Sequence, residues 1–168
     1  MDGLTTNRPA YAIGTGFDIH QLEPGRKMIL GSVEIPHHSG FLGFSDGDIL
    51  IHALCDALLG AANLGDIGKF FPSSDEAFRD KESSFFLLEV MKKISENSYH
   101  IGNIDSTVIL QNPKLSDFIP KMKKKLSGLM NISENRISIK ATTTDFLGVI
   151  GNEEAGAAQV VVLLESDT

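Results

Sequence analysis

Tyr11-Ala12-Ile13-Gly14-Thr15-Gly16-Phe17-Asp18-Ile19-His20 reads as a strand-like run, and its register decides how the rest of the chain must be arranged. Successive side chains of a strand point to opposite faces, so Asp18 and His20 share one face while Ile19 between them is expected to enter the core. A carboxylate and an imidazole two apart can converge on one ion. A third donor stands further on, in an apolar helix expected over residues 48–63. There Leu50, Leu54, Ala57, Leu58 and Ala61 make one side greasy, and Asp48, His52 and Asp56 recur every four residues. Buried charge is costly unless it is paired or bound to metal, so that polar stripe needs partners. One carboxylate and two imidazoles suit Zn²⁺ and leave a fourth tetrahedral position open for water or a substrate oxygen. On the helix alone, an ordinary histidine held between two aspartates is the simpler reading.

Composition limits what such a site can serve. The chain has 168 residues, 42% hydrophobic and 22% charged, which fits one globular domain with a substantial core. A net charge of -7 argues against a nucleic-acid binder, because phosphate-backbone affinity needs a dominant basic face. The basic cluster Lys121, Lys123, Lys124 and Lys125 lies on a helix whose core face is Ile119, Met122, Leu126, Leu129 and Met130, and reads as solvated. Cys55 is the single cysteine, so no intrachain disulfide can form, and a reducing cytoplasm fits. The longest apolar run, residues 49–62, is broken by His52 and Asp56, and no membrane span is expected. Residues 1–10 read as a flexible extension without signal-peptide character, leaving 11–168 as the domain.

Strands are expected at 11–17 and 28–35, then a loop at 37–43 before the first helix. Gly65, Asp66, Gly68 and Pro72 make the following connection irregular through about residue 75. A second helix runs over 83–97 with Leu87, Val90, Met91 and Ile94 inward. A strand at 104–111, a helix after Pro113, and strands at 136–143 and 155–165 around a turn with Gly148 and Gly151 complete the chain. This order gives an α+β fold, a mixed sheet with helices on one face and the other face left to find a partner, so oligomerisation is expected. His37, His38 and His100 fall in expected loops and read as surface residues.

Lys140-Ala141-Thr142-Thr143-Thr144-Asp145 is the second chemical cluster. Three hydroxyls at a strand end can donate to phosphate oxygens, and Asp145 can hold a hard cation such as Mg²⁺. Threonine also favours strands for its shape alone. Neither a GxxxxGK[ST] nor a GxGxxG pattern occurs.

Gly16-Phe17-Asp18-Ile19-His20, Ser45-Asp46-Gly47-Asp48 with His52-Ala53-Leu54, residues 56–62, Gly65-Asp66-Ile67-Gly68 and residues 140–144 together resemble the 2-C-methyl-D-erythritol 2,4-cyclodiphosphate synthase family, from Ile13 onward. The resemblance implies a homotrimer with sheets facing the threefold axis and active sites between subunits. It implies conversion of 4-diphosphocytidyl-2-C-methyl-D-erythritol 2-phosphate into the cyclic diphosphate, with release of CMP. Asp18, His20 and His52 would hold Zn²⁺ on the β-phosphate, and Mg²⁺ or Mn²⁺ near Asp145 would bridge the two phosphates. Thr142, Thr143 and Thr144 would contact phosphate, with Thr143 at the pentavalent phosphorus, while Ser45 would serve catalysis beside them. Leu110, Gln111, Asn112, Pro113, Lys114, Leu115 and Ser116, with Ala141, match the cytidine pocket. Asp66, Ile67 and Gly68 match the segment that holds the erythritol hydroxyls, flanked flexibly by Phe71, Pro72, Ser73, Ser74 and Asp75.

The chain departs from that pattern at several positions. Phe44 replaces a histidine that touches phosphate, and Asp145 replaces the commoner glutamate. Asn152 stands for an arginine, Val149 for a phenylalanine, and Ser73 for an acid. A weakened trimer that still binds zinc and a diphosphate is therefore a second reading, and a zinc phosphohydrolase acting through metal-bound water a third.

Overall fold

The close approach of one helix to one strand organises the molecule, which is described here over residues 9–166 from a computed structural model. The strand β1 (Tyr11–Pro24) carries Gly14 and Gly16 on the face that meets helix α1 (Ile49–Ala61). A Cβ at Gly14 would come 2.0 Å from the Ala57 carbonyl oxygen, and one at Gly16 would come 1.9 Å from that of Ala53. Only glycine opposite an Ala53-Ala57-Ala61 stripe lets the two backbones lie this close. Among the ordered elements α1 is the most deeply set, with ten of its residues buried from Ile49 to Ala61.

Four further strands lead into or complete the sheets: β2 (Met28–Leu30), β3 (Val33–Ile35), β4 (Ser39–Phe41) and β5 (Tyr99–Ile109). Two more, β6 (Ile137–Thr142) and β7 (Ala155–Ser166), close the main sheet in the order β4-β1-β7-β5-β6. Every pairing is antiparallel except β5 with β6, so the sheet is mixed as expected. Helices α3 (Ser83–Glu96) and α4 (Ile119–Met130) join α1 over one face, burying Leu87, Val90 and Ile94 from the first and Met122, Leu126 and Met130 from the second. Lys121, Lys124 and Lys125 are exposed, as their solvated reading requires.

Several local expectations are corrected. Ile19 does not enter the core: it is 46% exposed on the open face, with Tyr11, Ile13 and Phe17, because Gly14, Gly16, Asp18 and His20 own the helix side. The expected strand at 28–35 is a hairpin, β2–β3, turning through Gly31 and Ser32 with φ of 55° and 58°. Two left-handed residues make the tight turn that suits a twisted hairpin. The Asp48 carboxylate secures it, accepting from Gly31 N at 3.0 Å and Ser32 N at 2.7 Å while also capping α1 through Ile51 N. The loop at 37–43 contains β4, and β1 runs on to Pro24 to pair with it. The connection after Gly65 is not irregular throughout: a short helix, α2 (Ile67–Phe70), is capped by Asp66 and by Asp56, which accepts from Ile67 N at 2.8 Å. Another short helix, α5 (Gly148–Gly151), sits inside the expected glycine turn. His100 belongs to β5, and its Nε2 lies 3.0 Å from Glu165 Oε2 on β7. Of the extension expected at 1–10, residues 1–8 lie outside the described residues, as do 167 and 168 of the domain.

Candidate metal centre and adjoining cavities

Glycine-permitted contact between β1 and α1 brings His52 beside Asp18, 34 residues earlier in the chain. Asp18 Oδ2 lies 3.0 Å from His52 Nδ1 and 3.1 Å from His20 Nε2. The ligand atoms of Asp18, His20 and His52 all fall within 4.8 Å of one another, a cluster able to hold one ion. Burial raises the Asp18 carboxyl, but hydrogen bonds and charge from His20 and His52 outweigh it and hold the group well below the usual carboxylate range. Burial lowers His52, yet the Asp18 hydrogen bond and the Asp18, Asp48 and Asp46 charges raise it on balance.

This donor set fits a small borderline cation. Two ring nitrogens face one carboxylate oxygen, so a cation in their place would satisfy all three at once. His20 fits too. Its ring is packed against Gly43, where a Cβ would come 3.0 Å from Cε1, and its buried Nδ1 has no protein partner among the described residues, leaving Nε2 as the donor aimed at the corner.

Behind the corner, the stretch before α1 is latched to the N-terminus of α3. Asp80 N donates to Phe44 O at 2.9 Å, Asp46 N donates to Lys81 O at 3.2 Å, and Ser83 N donates to Asp46 Oδ2 at 2.9 Å. Ser45 Oγ and Ser83 Oγ each lie 3.0 Å from His52 Nε2. Sequence reasoning named Ser45 but missed Ser83, and it read Asp46 only as part of a motif. The members of the Asp48, His52 and Asp56 stripe have separate roles. Asp48 caps α1, Asp56 supports α2, and only His52 turns to Asp18.

A cavity of about 300 Å³ opens onto the corner, walled by Asp18, His20, Ser45, His52 and Asp56 on its polar side and by Phe44, Ile67, Phe71, Phe78 and Phe86 on the other, with Ser73 at its edge. Burial, aided by the Asp66 and Asp18 charges, raises the Asp56 carboxyl despite its bond from Ile67 N. Phe71 stacks among Phe78, Phe85 and Phe86 at centroid distances of 5.4, 6.3 and 5.0 Å, anchoring the start of a segment whose Pro72, Ser73, Ser74 and Asp75 are exposed. Phe44, in the place where a histidine was expected, lies under the Arg79 guanidinium at 4.7 Å. Asp66 and Gly68 are exposed beside this cavity's Ile67.

The second cluster is not brought into this cavity. Leu110, Gln111, Pro113, Lys114, Leu115 and Ser116 line a separate hollow of about 260 Å³ together with Ala141, Thr142 and Thr143. The two cavities share no lining residue. Asn112 turns aside to Glu153 at 2.7 Å, while Gln111 Oε1 accepts from Phe146 N at 3.3 Å and so ties the hollow to the 145–153 arm. Thr144 donates to Leu147 O at 2.7 Å. Asp145 is exposed, with its carboxylate accepting from Thr143 Oγ1 at 3.2 Å, and it and Phe146 hold left-handed backbone, φ 50° and 64°. Non-glycine residues in that region store strain that concentrates at working sites. Val149 faces a third hollow with Ile19 and His20, and Asn152 reaches Glu154 at 3.4 Å.

The mixed sheet and three-donor corner, with a cavity of substrate size beside it, define a metal-binding α+β enzyme. Residues 11–165 match the YgbB family, and the chain belongs to that family. It is 48% identical over 153 residues to 2-C-methyl-D-erythritol 2,4-cyclodiphosphate synthase of Shouchella clausii, covering 91% of this chain and 96% of that protein. Among solved structures, the bifunctional IspDF of Campylobacter jejuni superposes with a TM-score of 0.90 at 39% identity over 94% of this chain, which spans 42% of that longer protein. IspF of Plasmodium falciparum in complex with CDP superposes with a TM-score of 0.86 at 35% identity, covering 96% of this chain and all of that one.

Proposed function

We propose that this chain converts 4-diphosphocytidyl-2-C-methyl-D-erythritol 2-phosphate into 2-C-methyl-D-erythritol 2,4-cyclodiphosphate and CMP, a phosphorus-oxygen lyase step of isoprenoid biosynthesis. The observation that carries this reading is the Asp18-His20-His52 corner facing a cavity of about 300 Å³, in a chain nearly half identical to a synthase of that name over almost its full length.

An oxygen of the 2-phosphate bonds to the β-phosphorus while the bond from that phosphorus to the bridging oxygen breaks, and CMP leaves with that oxygen. Atoms balance without a protein nucleophile, so the chain's work is positioning and charge neutralisation. Asp18, His20 and His52 would hold Zn²⁺, which would supply Lewis acidity to a phosphoryl oxygen. Ser45 donates beside that corner, and Asp66, Ile67 and Gly68 receive the erythritol hydroxyls. Gln111, Lys114 and their neighbours around the second hollow receive cytidine. Thr142, Thr143 and Thr144 donate to the diphosphate, and Asp145 would help hold Mg²⁺ or Mn²⁺, which would supply neutralisation of phosphate charge. Residues 11–168 act as one catalytic domain.

Two half-sites without a shared residue support a homotrimer in which the corner of one subunit meets the threonine hollow of the next. The open sheet face supports the same assembly. Tyr11, Ile13, Phe17, Ile19 and Val161 are large, apolar and at least 41% exposed there, and an apolar face of that extent calls for a protein cover. A cytoplasmic location is supported by the buried, unpaired Cys55, whose thiol burial pushes well up. No helix among the described residues is long and apolar enough to cross a membrane.

Incubation with the cytidyl substrate, with and without a chelator, tests the reading through its products. Cyclic diphosphate with CMP, abolished by the chelator and restored by zinc, is expected. A linear monophosphate would mark a hydrolase instead, and binding without turnover would mark a module weakened at Phe44 and Asn152.

A further inference from the structure

His52 presents its two ring nitrogens to different surroundings. Nδ1 faces Asp18, and Nε2 sits 3.0 Å from each of two hydroxyl oxygens, Ser45 Oγ and Ser83 Oγ. Which of these atoms carries a hydrogen decides whether Nδ1 has a lone pair to give. The deciding group lies one step further out, in a carboxylate that does not line this cavity.

Ser83 is fully buried, and its hydroxyl is hydrogen-bonded to Asp46 Oδ1. An ionised carboxylate only accepts, so the hydroxyl proton of Ser83 is committed to Asp46. Only lone pairs of Ser83 Oγ then remain for His52, and Nε2 must be the donor between them. Without metal, Nδ1 can also carry a hydrogen toward Asp18; once a metal takes the place of that hydrogen, the neutral imidazole donates from Nε2 and gives its Nδ1 lone pair to the metal. Ser45 follows from the same count. Its Oγ accepts from Gly47 N at 3.3 Å, and a protonated Nε2 offers it nothing to donate to, so its own hydrogen turns toward the cavity that Ser45 lines.

Asp46 is itself held from two further directions, donating through its N to Lys81 O and accepting from Asp48 N at 3.2 Å. We propose that Asp46 and Ser83 are positioning residues that keep a proton on His52 Nε2, reserving Nδ1 for the metal and the Ser45 hydroxyl for a phosphate oxygen of the substrate. This rests on the reading of Asp18, His20 and His52 as metal ligands. Outer partners of a ligating histidine orient the ring and fix its tautomer in this way. The plainer role open to the pair is to cap α3, whose N-cap Glu82 makes no side-chain capping bond.

Zinc affinity by chelator competition and ring ¹⁵N shifts of His52 in the zinc-loaded full chain separate the two roles. In the wild-type chain, Nε2 is expected to be protonated and Nδ1 to be metal-bound. Ser83→Ala and Asp46→Asn are each expected to weaken zinc binding about 10- to 100-fold. In Asp46→Asn the amide can donate to Ser83 and let that hydroxyl donate onward to Nε2, so zinc-free protein shifts toward the Nδ1-protonated tautomer. Ser45→Ala is expected to bind zinc near the wild-type affinity while releasing CMP more slowly. If folded Ser83→Ala and Asp46→Asn bind zinc like the wild type, or if wild-type Nε2 proves unprotonated in the loaded chain, the pair only caps α3 and the proposal is overturned. A wild-type chain that takes up no zinc would instead overturn the metal reading, and the proposal with it.

Discussion

The two faces of β1 share one backbone and meet opposite fates. Toward α1 the strand shows Gly14, Gly16, Asp18 and His20, closed over by the chain's own Ala53, Ala57 and His52. Away from it the strand shows Tyr11, Ile13, Phe17 and Ile19, from 46% to 74% exposed, with nothing among the described residues laid across them. On the first face one chain completes its own geometry, down to hydrogen bonds of 3.0 Å. The second face and the threonine hollow stand open among the described residues.

The largest effect should come from disturbing the closed face at its tightest point. Gly16→Val places a side chain where even a Cβ meets the Ala53 carbonyl oxygen at 1.9 Å, and the obstruction is helix backbone, which cannot step aside. Overpacking of this kind should cost about 3 kcal/mol or more, read as a lower urea midpoint, with zinc uptake lost in parallel. An unchanged midpoint would mean that α1 does not depend on that contact.

A pH effect of comparable size belongs to Asp48. Burial, partly offset by the Ser32 amide and reinforced by the Asp46 charge, lifts its carboxyl to about 6 from 3.8. Between those values the native chain keeps a proton that the unfolded chain has lost. Stability should therefore fall as pH rises through that window, by about 3 kcal/mol in all, while below it the group is neutral in both states and the term is fully favourable. Asp48→Asn should flatten that part of a pH-stability curve measured by urea unfolding, at the cost of one hairpin hydrogen bond. A slope equal to that of the wild type would sink the assignment.

His52→Ala sharpens the contrast from the functional side. It should leave the fold standing but cut CMP release by more than about 100-fold, the upper range for losing an outer partner alone. Zinc content by elemental analysis should fall with it, and full zinc with full turnover would refute the ligand set. The smallest effect on the lone chain is expected on the open face. Phe17→Asp should change its unfolding free energy by no more than about 0.5 kcal/mol, as surface substitutions do, yet shift the sedimentation coefficient from trimer to monomer. A loss matching Gly16→Val would erase the distinction between the two faces.

Much of this was legible in the sequence for local reasons. Strand alternation put Asp18 and His20 together, and helical spacing put His52 on a polar stripe. Alternation alone did not say which face was covered, and Ile19 was assigned inward. Gly14 and Gly16 carried the missing signal, since a face without Cβ atoms is the one a helix can press against. The rest depended on distant partners. The 28–35 segment turns at Gly31 and Ser32 because Asp48 reaches their amides, β4 exists because β1 extends to pair with Phe41, and α2 starts where Asp56 caps it. Asp46 and Ser83 meet across 37 residues, a separation that no local pattern records.

Subunit complementation tests most directly whether the two halves meet across chains. His52→Ala disables the metal corner and Thr143→Val the threonine hollow, so each homotrimer should be nearly inactive. Across the trimers formed on equal co-expression, parental homotrimers included, roughly a quarter of the sites would pair an intact corner with a neighbour's intact hollow, and CMP release should recover to that fraction of wild type. Mixed trimers as inactive as either parent would contradict the account, because both halves would then have to come from a single chain.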